Sequence, residues 1–374
     1  MSNGAFSLKD QLFNPKKVRY FTDLISASYP AFDGDVFLKE VLDEFPHLEL
    51  KQRISHMTKV LKKHLPADYL KALEILLKAL PPALDPDKTD DDFGDFILAP
   101  FADFVAQYGC HELYFEASIK ALKQMTMCFS VEDAIRYFIN AFPKKMHGVM
   151  MDLSQSSNYH QRRLASEGSR LRLPWCQNIP WSAADVVPIL DQLYSDKTRY
   201  VTRSVANSLN DISKIDPDCV FQTLARWEKE GGQTQKEMKF IKRHALRTLL
   251  KKGNSKALAL FGFTDPTHVE LLDLACDAQV KKGTSLSFSF KLSTKDSSLG
   301  RLRVEYAIHF LKANGKHSDK VFKIKEVDTD QVQLEFSKMH SFKSMTTRRH
   351  YQGHHQLGVI VNGKELGRAD FNLD

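Results

Sequence analysis

The chain has 374 residues, enough for two domains with substantial cores. Hydrophobic residues make up 43% and charged residues 26%, and no run approaches the ~18 apolar residues of a membrane span, so a soluble globular protein is expected and a helical membrane protein is excluded. The net charge of +7 is unevenly spread: residues 1–150 hold 18 basic and 21 acidic side chains, residues 151–260 hold 18 and 11, and residues 281–374 hold 17 and 10. The basic surface therefore belongs to the middle and the tail, which is consistent with a polyanionic partner.

The first thirteen residues, ending at Phe13, lack the apolar core and small-residue cleavage site of a secretory signal, so a cytoplasmic location is expected. From Phe13 to about Phe263 the pattern is helical, with short amphipathic stretches broken by Pro, Gly and Asp. Asp68 to Leu80, followed by Pro81-Pro82, is one such stretch. The acidic segment from Asp85 to Asp95 reads as a solvated connection. Ser130-Val-Glu-Asp133 reads as a helix start with Ser130 as the cap. Five scattered cysteines, with no C-x-x-C, read as reduced thiols.

A weak repeat runs through this region. Arg163-Leu-Ala-Ser-Glu167, Arg203-Ser-Val-Ala-Asn207 and Arg243-His-Ala-Leu-Arg247 are spaced by 40 residues, with Ser182–Tyr194 and Asp216–Lys229 as partner helices. A spacing of about 40 is that of HEAT-like helix pairs, which stack into a superhelix. Residues at i, i+4 and i+8 share a helix face. One face would then carry Arg163 and Glu167, then Arg203, Asn207 and Asp211, then Arg243, Arg247 and Lys251. A solvated surface is the ordinary reading of such charges. Acids kept inside a basic stripe repel phosphate, however, and a function is the better reason to accept that cost.

After Gly283 the period changes to two. Leu286, Phe288, Phe290 and Leu292 alternate with polar residues, as do Leu302, Val304, Tyr306, Ile308 and Phe310, and then Val332, Leu334 and Phe336. Val359-Ile-Val361 leads into Asn362-Gly363, a hairpin turn, and a last strand ending near Leu373. About six strands suggest an immunoglobulin-like β-sandwich. The expected organisation is mainly α: a helical-repeat domain over 1–265, a linker over 266–282 and the sandwich over 283–374.

Four segments resemble the AlkC-type DNA alkylation-repair glycosylases, a branch of the HEAT-like-repeat glycosylases. They are Phe129-Ser-Val-Glu-Asp-Ala-Ile-Arg136, the run from Arg162 through Ser-Glu-Gly to Leu-Pro-Trp175, the run from Tyr200 to Asp211, and Thr346-Thr-Arg-Arg-His-Tyr-Gln-Gly-His354. The resemblance implies a pocket of Glu132, Glu167, Trp175 and Asp211 that excises cationic alkylated bases from duplex DNA, 3-methyladenine first and 3-methylcytosine second. It implies phosphate contacts by Arg162, Arg163, Arg170, Arg172, Arg203, Lys242, Arg243 and Arg247. The tail loop with Arg348, Arg349, His350, Tyr351 and His354 would help encircle or deform the duplex. Thr202 stands where the family pattern has a second arginine, and Asp133 and Tyr137 also depart from it; all the carboxylates are kept.

No cofactor and no metal are expected: His350, His354 and His355 lack a carboxylate or cysteine partner at ligand spacing. Phosphate-loop and deaminase motifs are absent, and no lysine stands out as a Schiff-base nucleophile, which favours a monofunctional enzyme. A monomer in the bacterial cytoplasm is expected. Two other readings remain open: a non-catalytic DNA-damage-binding repeat module, and a protein-interaction scaffold.

Overall fold

The computed structural model describes residues 7–88, 90, 93–343 and 350–374. Amphipathic stretches capped by Asn or Asp become the helices. Asn14, Asp33, Asp68, Asn158 and Asp216 each accept a main-chain N–H of the first turn that follows. The helices are α1 (Leu8–Leu12), α2 (Pro15–Ser28), α3 (Gly34–Glu44), α4 (Leu50–His64), α5 (Tyr69–Lys78), α6 (Ala99–Gly109), α7 (Phe115–Met125) and α8 (Glu132–Ala141). They continue as α9 (Pro143–Ser154), α10 (Tyr159–Gly168), α11 (Ala183–Asp191), α12 (Arg199–Ile212), α13 (Pro217–Glu230), α14 (Gln235–Ala245), α15 (Arg247–Lys251) and α16 (Ser255–Ala259). None of the described helices is long and apolar enough to cross a membrane.

The chain divides into two compact units, one ending at Ala245 and one running from Leu246 to Asp374. In the first, the 40-residue spacing resolves into helix pairs. α9, α11 and α13 form one row, while α10 packs on α12 and α12 on α14. The pairing buries α10 and α12 almost all round: eight of ten and eleven of fourteen residues are buried. That is why polar residues on these helices end up inside. Gly168 is required at the end of α10, since a Cβ there would lie 2.7 Å from the Ile135 side chain of α8.

The second unit starts earlier than the period change suggests. α14 stops at Ala245, so Arg247 and Lys251 lie on the separate helix α15 and do not continue the face that carries Arg243. α15 and α16 belong with the sandwich: Gly253 meets Gly363 of the last hairpin so closely that a Cβ on Gly253 would sit 2.6 Å from the Gly363 carbonyl oxygen.

The expected linker over 266–282 also holds two strands, β1 (Glu270–Cys276) and β2 (Gln279–Val280). β3 (Ser285–Ser293), β4 (Gly300–Leu311), β5 (His317–Thr329), β6 (Gln333–Ser341), β7 (Gly353–Val361) and β8 (Lys364–Leu373) follow. One sheet has the order β1-β3-β6 and the other β2-β8-β7-β4-β5. The inward residues of β3 meet those of β4 and β7 in one core that includes Leu286, Phe288, Phe290, Val304, Ile308, Val359 and Phe371. Each such side chain contributes roughly 1.5–3 kcal/mol by leaving water. Asn362 and Gly363 take the positive φ values (46° and 82°) of the tight hairpin turn.

Candidate active site

Three acids from three helices meet beside α10 and α12. Glu132 opens α8, Glu167 ends α10, and Asp211 lies in the last turn of α12. The helix start at Ser130 differs from expectation. Val131 takes the cap position without a side-chain bond, and the Ser130 hydroxyl instead donates to Glu132 Oε2 and accepts from Arg163 Nη1. The segment serves the site in place of the helix end.

Cations separate the acids in an alternating row. Arg163 Nη1 donates to Glu132 Oε2 at 3.1 Å, and its Nη2 lies 3.8 Å from Glu167 Oε2. Arg170 donates from Nη1 to Glu167 Oε1 (2.6 Å) and from Nε to Asp211 Oδ2 (2.8 Å). Lys214 Nζ donates to Asp211 Oδ1 at 2.9 Å, and Ser204 Oγ donates to Glu167 Oε2 at 2.6 Å. Arg163 also lies over the Tyr200 ring, 4.9 Å from its centroid.

Arg163, Glu167, Arg170 and Asp211 are buried, Asp211 to 1% exposure. Ions so placed persist only when paired and hydrogen-bonded. Burial alone would raise the Glu167 pKa; Arg163, Arg170 and Ser204 outweigh it and hold the carboxyl below its ordinary value. Burial likewise opposes charge on Arg163 and Arg170, and their acids outweigh it and raise both. Arg163, Glu167 and Arg170 are thus held in their charged forms, and each carboxylate oxygen of the row keeps acceptor capacity beyond its bonds to the cations.

Trp175 is presented differently. It follows Pro174 in the loop after α10, has φ +64° and is 79% exposed. A left-handed tryptophan costs of order 1–3 kcal/mol and persists only where its surroundings over-determine it. Trp175 and Glu132 both line a cavity of about 230 Å³ with apolar walls that include Ile54, Phe96, Phe129 and Leu173.

A family model described as the C-terminal Ig-like domain of the uncharacterised protein YhaZ matches residues 270–374. The chain is 39% identical to the protein YhaZ of Bacillus subtilis (strain 168) over 370 residues, 97% of this chain and 98% of that one. It superposes on the Pseudomonas fluorescens alkylpurine DNA glycosylase AlkC, solved bound to DNA containing an abasic site analog, with a TM-score of 0.87. That match has 34% identity and covers 99% of this chain and 100% of the other. The chain belongs to the AlkC family.

In this AlkC-family chain the expected phosphate contacts separate into distinct environments. Arg163 and Arg170 are buried as counter-ions of the acids and do not stand on an open surface. Arg162 is held by Asp196 through Nε (2.5 Å) and Nη2 (3.2 Å). Arg203 pairs with Asp90 at 2.6 Å, and Lys242 with Glu228 at 2.7 Å. Arg172 is exposed and Arg243 half-buried.

In the tail, Arg348 and Arg349 lie outside the described residues. His350, expected in the same surface loop, is instead a core residue, buried against Phe310 and Phe342. Tyr351 is half-buried, its carbonyl oxygen 2.9 Å from Nε2 of the buried His355. His354 lies against Asp370 at 2.9 Å.

Sequence reasoning in this AlkC-family chain missed Ser130, Ser204 and Lys214 as site residues. Ser204 follows the repeat's Arg203 directly, and Lys214 lies three positions after Asp211, in the turn beyond the end of α12 at Ile212, so closeness in sequence carried some signal for each.

Proposed function

We propose that the chain is a monofunctional DNA glycosylase of alkylation repair that hydrolyses the N-glycosidic bond of cationic alkylated bases, with 3-methyladenine and then 3-methylcytosine as substrates. The observation that carries this reading is the row of three carboxylates held by cations, whose first member, Glu132, shares a cavity with an exposed tryptophan. The full-length likeness to an alkylpurine DNA glycosylase supports it.

A base alkylated at a ring nitrogen is already cationic and leaves with the electron pair of its bond to C1′, becoming neutral. The sugar left behind is oxocarbenium-like, as in glycoside hydrolysis. Glu132 and Glu167 stabilise positive charge on base and sugar, and Asp211 orients the water whose oxygen bonds to C1′ and whose proton is lost through the carboxylate to solvent. Trp175 contacts the lesion or its deoxyribose through its face. The held cations matter here. Three unpaired acids would repel the DNA backbone, whereas a neutralised row acts at short range only. Lys214 serves in this reading as the hydrogen-bond partner of Asp211 and not as a nucleophile.

The test is single-turnover base release from duplexes with one N3-methyladenine, N3-methylcytosine or N7-methylguanine, with borohydride added in parallel. Release of the first two with no trapped adduct is expected. Tight binding without release would favour a damage-binding module, and a trapped adduct would overturn the monofunctional assignment. Weak binding that is insensitive to salt would favour a protein scaffold.

A further inference from the structure

The exposed ring of Trp175 has no aromatic or cation partner among the described residues, so its side chain does not hold its strained backbone in place. The main chain around it is held instead, from two sides. Lys51 on α4, 124 positions away in sequence, donates from Nζ to the Trp175 carbonyl oxygen and to Asp133 Oδ2 at 2.9 Å.

Arg136, fully buried on α8, donates to three carbonyl oxygens that bracket the same loop: Gly168 at 2.9 Å, Arg170 at 2.7 Å and Gln177 at 2.6 Å. Cys176, next to Trp175, has its thiol pushed up to about 12 by burial and by Asp133, so it remains a neutral donor beside that carboxylate. One stretch of α8 therefore supplies Glu132 to the acid row and Asp133 and Arg136 to the tryptophan loop.

We propose that Lys51, anchored by Asp133, is a positioning residue that locks the Trp175 main chain so that its ring is preorganised beside the carboxylates for the damaged nucleotide. A purely structural clamp would bury the residue that it holds; here the backbone is fixed and the ring is left outside. The inference rests on the glycosylase reading for its consequence in rate. Lys51 side chain is 54% exposed, so its removal should leave the fold intact.

The variants are K51M, K51R and D133N, with K51M also placed in a W175A background and all melted alongside wild type. K51M should slow single-turnover release of 3-methyladenine by about ten- to a hundredfold, the cost of a misplaced contact. Affinity for undamaged duplex should stay within about twofold. K51R should recover most of the rate, and K51M should cost nothing further once Trp175 is alanine, because the two act as one unit.

In a W181F chain, K51M should also lower the fluorescence anisotropy of Trp175, whose ring would move more freely, against a constant contribution from the buried Trp227. Equal slowing by K51M in the W175A background, or no change in anisotropy, would overturn the proposal. If wild type releases no base, the glycosylase reading fails while the anisotropy comparison still decides whether Lys51 positions Trp175.

Discussion

Each unit buries an arginine–glutamate network, and only one of them has the makings of an active centre. On β4 of the sandwich, Arg303 donates to Glu305 at 2.6 Å and to Glu326 at 2.7 Å, and both Arg303 and Glu305 are buried. Arg303 and Glu326 are direct cross-strand partners in the β4–β5 register, so neighbouring strands generate that network by themselves.

The helical row joins residues from α8, α10 and α12 with an arginine from the loop after α10. It alternates one cation to one anion and adjoins an apolar cavity. Glu305 also faces a cavity, of about 870 Å³, but that one has Arg247, Lys251, Lys252 and Lys320 on its walls, a setting for an anion. Buried ion pairs are therefore poor markers of chemistry. Convergence of acids from separate helices beside an exposed aromatic ring is a better one.

Asp211→Asn should give the largest effect. If the proposed mechanism holds, loss of this carboxylate should lower single-turnover base release by on the order of 10²- to 10³-fold, with damaged-duplex affinity changed far less. Glu305→Gln is the matched control. Breaking a buried pair should cost about 3 kcal/mol of stability in denaturant melts, with base release unchanged at temperatures where the variant is folded. Slowed chemistry in Glu305→Gln, or unchanged chemistry in Asp211→Asn, would erase the distinction between the two networks.

A smaller effect probes the helical row by pH. A carboxyl whose folded pKa lies below its unfolded value contributes stability that is complete above the unfolded value and lost as pH falls through the folded one. The Glu167 carboxyl is held below its ordinary 4.5, so its contribution should be constant from pH 7 to about 5 and fade below that. Glu167→Gln should be less stable than wild type at pH 7, and the gap should narrow in melts taken at falling pH.

How much of this was legible in the sequence depends on where the signal lay. The 40-residue spacing placed α10, α12 and α14 because each is a paired helix, and Glu167 and Asp211 fell on buried faces of the first two. β5 gave no strand signal: it is an edge strand with no fully buried residue, so its sequence has no need to alternate. The break at Leu246 was hidden because the arginine spacing continues across it into Arg247. Arg170 and Arg163 read as phosphate contacts because an arginine's partner is set by tertiary packing, here by acids up to 41 positions away. His350 read as a loop residue because ring packing against Phe310 and Phe342 leaves no trace in local pattern. Lys51 could not be connected to Trp175 across 124 positions by any local rule.

The smallest predicted effect concerns the cations outside the acid row. Arg203 is half-exposed and pairs with Asp90 of the acidic connection. If it meets phosphate, Arg203→Ala should weaken binding about equally for all sequences and lower the slope of log affinity against log salt by about one. DNA must then displace an existing partner. An exposed pair is worth at most about 1 kcal/mol, so Asp90→Asn should tighten DNA binding by no more than about fivefold, and only at low salt. That gain should vanish when Arg203 is already alanine, because Asp90 then has no cation to withhold from phosphate. A gain that survives in the double variant would mean that Asp90 acts by general repulsion of the duplex, and Arg203 would then share the fate of Arg163 and Arg170, cations committed to the protein's own acids.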